Sequence, residues 1–354
     1  MDAFKKMANG KEFNATVPSL TSETQLTFTS NKKSYLYTIT FVKEFKSGKS
    51  GDRVLLIKID NREYVLKIFS NSNKNQYKEV TEHLDVNALF KNEKGYMPCP
   101  IIYCYGYLSI LSENSDFLYI IIEYVKGVEL YSLLEQHCLK KSSDRSILTI
   151  MLELFYFIGT LLIHKKKHCD LHPLNILITP CLKPYTLDFS SFTSLPVKVP
   201  IKNYTIKVID FGKTEGRDIP CAKNRETTVE LNKLSMLCTS SSYYMDLILG
   251  FLNLGSGNTD LNFFCQMLRI CASFDEKVAK IGIENIEKIH DISGEFNTLK
   301  MFDNKAVKSI LSRILKLLMS NEKDVSKFRK KRSKSATKKV QKKKSKSKVN
   351  LLKK

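Results

Sequence analysis

The apolar pattern of the chain changes near Gly127, and this change limits the folds the chain can adopt. Before Gly127, short runs of β-branched and aromatic residues alternate with polar turns, and one stretch has helical spacing. We predict strands at residues 35–42, 53–59, 63–69, 101–111 and 117–125, and a helix at 77–90. After Gly127 the spacing is mainly helical. The pattern predicts an α+β fold with two unequal lobes: a small five-stranded antiparallel lobe that carries one helix, and a larger, mainly helical lobe.

The positive charge is concentrated at one end of the chain. The 354 residues carry a formal net charge of +21, and residues 321–354 contain 16 Lys and Arg against two acidic residues. Such a Lys- and Ser-rich tract has too little apolar area to offset the entropy of ordering. We expect a disordered tail that binds nucleic acid, an acidic protein or an anionic surface through charge. Four segments follow: an extension at 1–33, the small lobe at 34–125, the large lobe at 126–320, and the tail.

Cysteine spacing and hydropathy suggest the environment of the protein. Nine Cys are scattered without a CxxC pair, and no apolar signal segment opens the chain, so we predict free thiols in a reducing intracellular compartment. The longest apolar run, at 147–163, is short for a membrane span and contains a Glu. It predicts a buried helix and no transmembrane segment.

Two short motifs carry the chemistry. His168-Cys-Asp-Leu-His-Pro-Leu-Asn175 is followed 35 residues later by Ile-Asp210-Phe-Gly, next to a strand-like run at 206–209. An aspartate and an amide on one loop, with a second aspartate at a strand end, can face one phosphate together. Asp188-Phe-Ser is a rival for the second aspartate because it lies only 13 residues after Asn175. We prefer Asp210, which has the strand before it and Gly after it.

These motifs resemble the catalytic loop and the metal-binding motif of the protein-kinase superfamily. The chain resembles eukaryotic-like Ser/Thr kinases. The stretch from Asn175 to Asp210 is longer than is usual in that family, and in this respect the chain resembles the late protein kinases of poxviruses and other large DNA viruses. The resemblance implies transfer of the γ-phosphate of ATP to protein hydroxyls, with Asp170 acting on the hydroxyl proton, and Asn175 and Asp210 holding Mg²⁺. A cytoplasmic, virion-associated or nuclear location would suit such a protein.

The resemblance also implies a phosphate-binding lysine. Lys67 lies in the strand at 63–69 and matches the strand lysine that pairs with the α- and β-phosphates. The helix that follows offers Glu79 and Glu82 as ion-pair partners. We prefer Glu82, whose distance along the chain from Lys67 is closer to that usual in the family.

Nucleotide contacts are predicted on both sides of Lys67. Gly48 and Gly51 lie in a turn where backbone amides can approach a phosphate, and Val54 begins the next strand. Glu123 and Val125, at the end of the fifth strand, fall where the family offers backbone groups to adenine.

Three departures from the family pattern leave the acceptor open. Cys169 replaces the usual Arg, His172 replaces a Lys, and no A-P-E motif follows Asp210. We predict that His172 stabilises charge on the transferring phosphate as far as it is protonated. Two other functions remain: a small-molecule kinase of the same fold, and an inactive kinase-like protein that binds nucleic acid or acidic partners through its tail. His164, His168 and His172, spaced four apart, also allow a structural zinc site.

Overall fold

A β-barrel precedes a helical region in this computed structural model. The structure describes residues 3–20, 23–30, 33–45, 51–70, 74–91, 95–140, 147–216, 221, 225–238, 259–298 and 303–320. The barrel part contains helices α1 (Ala3–Ala8) and α2 (Lys74–Phe90). Its strands are β1 (Lys11–Glu12), β2 (Asn14–Val17), β3 (Glu23–Ser30), β4 (Lys33–Phe45), β5 (Arg53–Ile59), β6 (Arg62–Ile68), β7 (Ile102–Ile110) and β8 (Ser115–Glu123).

The sheet closes on itself. Strands β2 to β6 follow one another as antiparallel neighbours, β6 pairs with β8, β8 pairs with β7, and β7 returns to β2. The last contact is parallel, with Ala15 opposite Leu108, and the short β1 lies along the same edge of β7. Seven strands therefore form a mixed, closed barrel, and among the strands that the structure describes in this sheet no long edge is left unpaired.

Gly106 permits this closure because the amino-terminal strands pass very close to β7. Its φ is +150°, and a Cβ on this residue would collide with the backbone carbonyl of Phe13. Tyr119 on β8 donates its hydroxyl to the same carbonyl over 2.9 Å. Phe13 is thus fixed between β1 and β2, where the chain completes the barrel.

The predicted fold class is wrong. We expected an open, antiparallel five-stranded lobe of a bilobal kinase-like fold, but the structure has the closed mixed barrel. The difference arises from residues 3–30, which lie in the segment predicted to be an extension. They supply α1 and three strands, and their apolar side chains fill the barrel, with Phe4 packed against Phe28 and Tyr64. Burying these aromatic rings stabilises the closed form over an open sheet.

The helical region follows the barrel. Its helices are α3 (Leu130–Lys140), α4 (Ile147–Ile163), α5 (Arg225–Cys238), α6 (Thr259–Ala272), α7 (Glu276–Ala279), α8 (Ile283–Thr298) and α9 (Asn304–Leu318). The prediction of a buried helix is confirmed for α4, which has buried residues on every face and forms the centre of the largest core cluster. Within the described ranges, no helix has the length and apolar character needed to cross a membrane.

Short strands connect the barrel to the helices. They are β9 (Val128–Glu129), β10 (Lys166–Lys167), β11 (Ile176–Pro180), β12 (Tyr185–Asp188), β13 (Lys198–Ile201), β14 (Tyr204–Val208) and β15 (Glu215–Gly216). β11 pairs with β14 and β9, β12 with β13, and β10 with β15, all antiparallel. The β12–β13 hairpin is the inserted segment between β11 and β14.

Two disulfides correct the prediction that all cysteines are free. Cys138 on α3 is bonded to Cys238 on α5, and Cys169 is bonded to Cys221. Their Cα atoms are 4.9 and 5.4 Å apart, within the range that a disulfide spans. Sequence separations of 100 and 52 residues gave no pairing signal. The other five cysteines are free.

Candidate active site

The loop that carries Asp170 is held in place by hydrogen bonds to a buried carboxylate. Asp260, near the start of α6, accepts the backbone N–H of His168 over 2.7 Å and that of Cys169 over 3.0 Å. Burial raises the pKa of Asp260 to about 6, and the two N–H groups oppose this rise. Cys169 has a φ of +62°, a left-handed conformation that is uncommon for a residue with a side chain. Asp260 thus supports a loop conformation that the local sequence does not favour.

Asp170, Asn175 and Asp210 converge at the ends of two paired strands. Asn175 immediately precedes β11, and its side-chain amide donates to the carbonyl of Asp170 over 3.1 Å. The carbonyl of Asn175 accepts the N–H of Ile209 over 2.9 Å, which holds the end of β14 beside it. Asp210 then turns out of the strand with a φ of +63°. Backbone strain of this kind is concentrated at functional sites.

Lys67 on β6 faces this group and is paired with α2. Its Nζ lies 2.6 Å from Oε1 of Glu79, and both side chains are largely buried. The prediction that Glu82 is the partner is wrong: Glu82 lies 2.6 Å from the ammonium of Lys166 on β10, together with Asp85. Three residues advance a helix by about 4.5 Å, so Glu82 lies roughly one turn farther along α2, opposite β10.

Three carboxylates share the ammonium of Lys67. Asp52 Oδ2 lies 3.5 Å from Nζ. Burial opposes the charged form of Lys67, but Glu79, Asp210 and Asp52 together raise its pKa above its ordinary value. Burial also raises the pKa of Glu79 against the attraction of Lys67, and Asp210 adds to this rise. Lys67 thus faces three carboxylates, and a bound cation would offset part of their negative charge.

Gly212, in the turn after Asp210, lies close to two carboxylates. A Cβ on Gly212 would lie 3.2 Å from Oε2 of Glu79 and 3.4 Å from Oδ1 of Asp210. Phe211 points the other way, into the core, where its ring lies 4.5 Å from that of His83 and 5.0 Å from that of His168. Glycine therefore lets Asp210 and α2 approach each other while Phe211 anchors the turn.

His168 is a neutral link between the two motifs. Burial lowers its pKa to about 4. Its Nδ1 accepts the N–H of Asp170 over 3.3 Å, and its Nε2 donates to the carbonyl of Ile209 over 3.2 Å. One imidazole therefore ties the loop of Asp170 to the strand that presents Asp210.

The residues predicted to contact the nucleotide lie at several different positions along the barrel strands and the segments that follow them. Gly51 has a φ of +73°, and Val54 pairs with Lys67 across β5 and β6. Gly48 lies outside the described residues. Glu123 ends β8, and its N–H is bonded within the barrel, to Ile101. Val125 follows β8 and is half-buried.

The two remaining candidates lie in different surroundings. Asp188 is on the β12–β13 hairpin, where it caps a short turn through Ser190 and lies 3.1 Å from Lys198. Nothing places it beside Lys67. His172 is buried and precedes the 3₁₀ turn Pro173–Asn175. Of the two aspartates, Asp210 is therefore the one that shares a site with Lys67 and Asn175.

The donor set suits a magnesium–nucleotide complex. Mg²⁺ binds oxygen and is held by one or two protein ligands together with phosphate oxygens and water. Asn175 commits its amide nitrogen to Asp170, which leaves its oxygen for a cation, and Asp210 adds a carboxylate in the negative cluster. No group of three or more His, Cys, Asp or Glu residues suited to a metal occurs in the described part of the chain, so the zinc hypothesis gains no support.

No protein-family model matches the sequence, and no curated protein matches it. The function is therefore inferred from the geometry of the site itself. Sequence reasoning found Lys67, Asp170, Asn175 and Asp210 but missed the residues that support them. Asp260 lies 90 residues beyond Asp170 and carries no local motif. Glu79 is the partner of Lys67 in place of the predicted Glu82.

Proposed function

We propose that this protein is an ATP- and Mg²⁺-dependent phosphotransferase, with serine and threonine hydroxyls of proteins as its acceptors. One observation carries the proposal: a buried Lys67–Glu79 pair, Asp170, Asn175 and Asp210 come together although they derive from four separate parts of the chain. The reaction needs these groups in one place. The choice of a protein acceptor rests on the resemblance of the motifs to Ser/Thr kinases.

Each residue has a distinct task in the transfer. Lys67, oriented by Glu79, binds phosphate oxygens of ATP. Asp170 orients the acceptor hydroxyl and takes its proton. The hydroxyl oxygen bonds to the γ-phosphorus, and the bond to the bridging oxygen breaks with its electron pair passing to ADP. Asn175 and Asp210 would hold Mg²⁺, which when bound neutralises phosphate charge.

The buried setting favours this chemistry over simple binding. Asp170 is only 3% exposed, and the loop around it is held by Asp260 and His168. A base and a cation site fixed in this way need little reorganisation during the reaction. A protein that only bound partners through a basic tail would not need such an arrangement.

A matched pair of variants tests the metal assignment. Asp210→Ala and Asp188→Ala each remove one aspartate at the end of a β-strand. Titration calorimetry with ATP, in the presence and absence of Mg²⁺, should show that Asp210→Ala loses the enhancement by Mg²⁺, whereas Asp188→Ala keeps it. The reverse pattern would move the metal site to the hairpin and refute the assignment.

A further inference from the structure

Lys213 reaches the carboxylate of Asp170 from the loop that follows Asp210. Its Nζ lies 3.0 Å from Asp170 Oδ1, so the ammonium crosses from one motif to the other. Gly212 and Lys213 belong to a tight turn in which Thr214 donates its N–H to the carbonyl of Phe211 over 3.1 Å. Because Phe211 is buried, the turn is anchored and the long side chain of Lys213 extends from a fixed base.

The two partners differ in exposure. The Asp170 side chain is 4% exposed, whereas that of Lys213 is 50% exposed. The Lys213 ammonium keeps half of its surface in water and loses little when it leaves Asp170, whereas the buried Asp170 carboxylate then needs another partner, which the acceptor hydroxyl supplies. Lys213 also has a flexible four-carbon stem. The ion pair can therefore open without disturbing the loop that Asp260 and His168 hold.

The other lysine of the site is already committed. Lys67 is enclosed by Glu79, Asp52 and Asp210, and it approaches from the barrel side. Phosphoryl transfer also requires positive charge beside the γ-phosphate, at the end where the acceptor hydroxyl attacks. Cations placed there stabilise the negative charge on the phosphoryl group that is transferred. Lys213 is the ammonium in contact with the proposed base at that end.

We infer that Lys213 is a catalytic residue whose ammonium leaves Asp170 and binds the γ-phosphate of ATP during the reaction. This inference rests on the proposed function. In the free protein Lys213 neutralises the buried carboxylate. When the acceptor hydroxyl hydrogen-bonds to Asp170, the ammonium turns to a γ-phosphate oxygen. It stays there while the hydroxyl oxygen bonds to phosphorus, the proton passes to Asp170, and ADP leaves with the electron pair of the broken bond. Lys213, rather than His172, then supplies the positive charge at this end.

Three variants of the full chain separate this role from a structural one. Lys213→Ala removes the charge, Lys213→Arg keeps it, and Lys198→Ala breaks an exposed lysine–aspartate ion pair with Asp188 on the hairpin, away from the site. We expect Lys213→Ala to lower kcat about 100-fold, the magnitude typical of losing one preorganised charge-stabilising group. Lys213→Arg should recover kcat to within about tenfold of wild type, and Lys198→Ala should leave it unchanged.

Nucleotide affinity provides a second readout that a structural role would not change. Lys213→Ala should weaken ATP binding severalfold while the Kd for ADP stays constant, because only ATP carries the γ-phosphate. A kcat within threefold of wild type would overturn the inference. So would a higher kcat, which would make Lys213 a brake on Asp170, or equal weakening of ATP and ADP. If the wild type transfers no phosphate at all, the proposed function itself fails.

Discussion

Glu153 on α4 makes the stability of the helical region depend on pH. Its side chain is fully buried, and Oε1 accepts hydroxyl hydrogen bonds from Tyr185 and Thr205, each over 2.5 Å. Burial raises its pKa from 4.5 to about 7, although both hydroxyls and Lys207 oppose the rise. In the unfolded chain the carboxyl returns to its ordinary pKa. Between these two pKa values the folded protein holds a proton that the unfolded chain has lost.

Stability should therefore fall as pH rises through this window. Each pH unit between the two pKa values corresponds to about 1.4 kcal/mol. From pH 5 to pH 8 the contribution of Glu153 to the free energy of unfolding should drop by about 2.5 kcal/mol. His83 and His168 act in the opposite direction, because burial lowers their pKa values to about 4 and the unfolded chain binds their protons below about pH 6.5. A wild-type profile alone would mix these effects.

Comparison with Glu153→Gln isolates the contribution. Urea unfolding of both proteins at pH 5 and pH 8 should show that the variant gains about 2.5 kcal/mol relative to wild type between the two conditions. Glu284→Gln, at an exposed position on α8, should stay parallel to wild type. If Glu153→Gln is also parallel to wild type, the carboxyl is ionised at both pH values and the reasoning is refuted.

Three further substitutions, two of them with a matched control variant, test the supports of the site. Glu79→Gln should lower kcat/KM about 10- to 100-fold, because Lys67 loses the partner that orients it. Glu82→Gln should keep kcat/KM within threefold of wild type. Equal effects of the two variants would contradict the observed pairing. Asp260→Ala leaves two buried N–H groups without their acceptor, so denaturation should show a loss of about 2 kcal/mol or more, and an unchanged stability would rule out this supporting role. Cys221→Ser opens the 52-residue loop that the disulfide closes, and it should lower the free energy of unfolding by up to about 4 kcal/mol under non-reducing conditions. Cys181→Ser, which replaces a free cysteine, should not lower it. A similar effect of both variants would argue against the disulfide.

Local structure was largely predictable from the sequence, but the way the strands close was not. Residues 53–59 were predicted as a strand and form β5, and the helix at 77–90 lies within α2. The apolar pattern of the segments at 14–17 and 23–30 is too weak to predict strands. Their buried and exposed positions alternate as in a strand, but Thr weakens the apolar signal of such short runs. Closure then depends on a parallel contact between segments about 90 residues apart, which no local pattern encodes.

Some residues of the site could likewise be predicted from the sequence, and others could not. Asp170, Asn175 and Asp210 lie in short motifs whose spacing reflects one loop and one pair of strands, so their convergence could be anticipated. Glu79 could not be separated from Glu82 because both lie on the same side of a helix, and only the tertiary placement of α2 decides between them. Lys213 adjoins the second motif, yet its contact with Asp170 depends on a tertiary approach across 43 residues.

Asp170 is the residue on which the proposed phosphoryl transfer from ATP most depends. The most direct test incubates wild type and Asp170→Asn with γ-labelled ATP, Mg²⁺ and a mixture of protein acceptors, and measures ATP affinity in parallel. Wild type should label serine and threonine residues. Asp170→Asn should lose about 100-fold or more of this rate while its Kd for ATP stays within threefold, because Asp170 acts on the acceptor and not on the nucleotide. Transfer within tenfold of wild type, or no transfer by the wild type to any acceptor, would contradict the account.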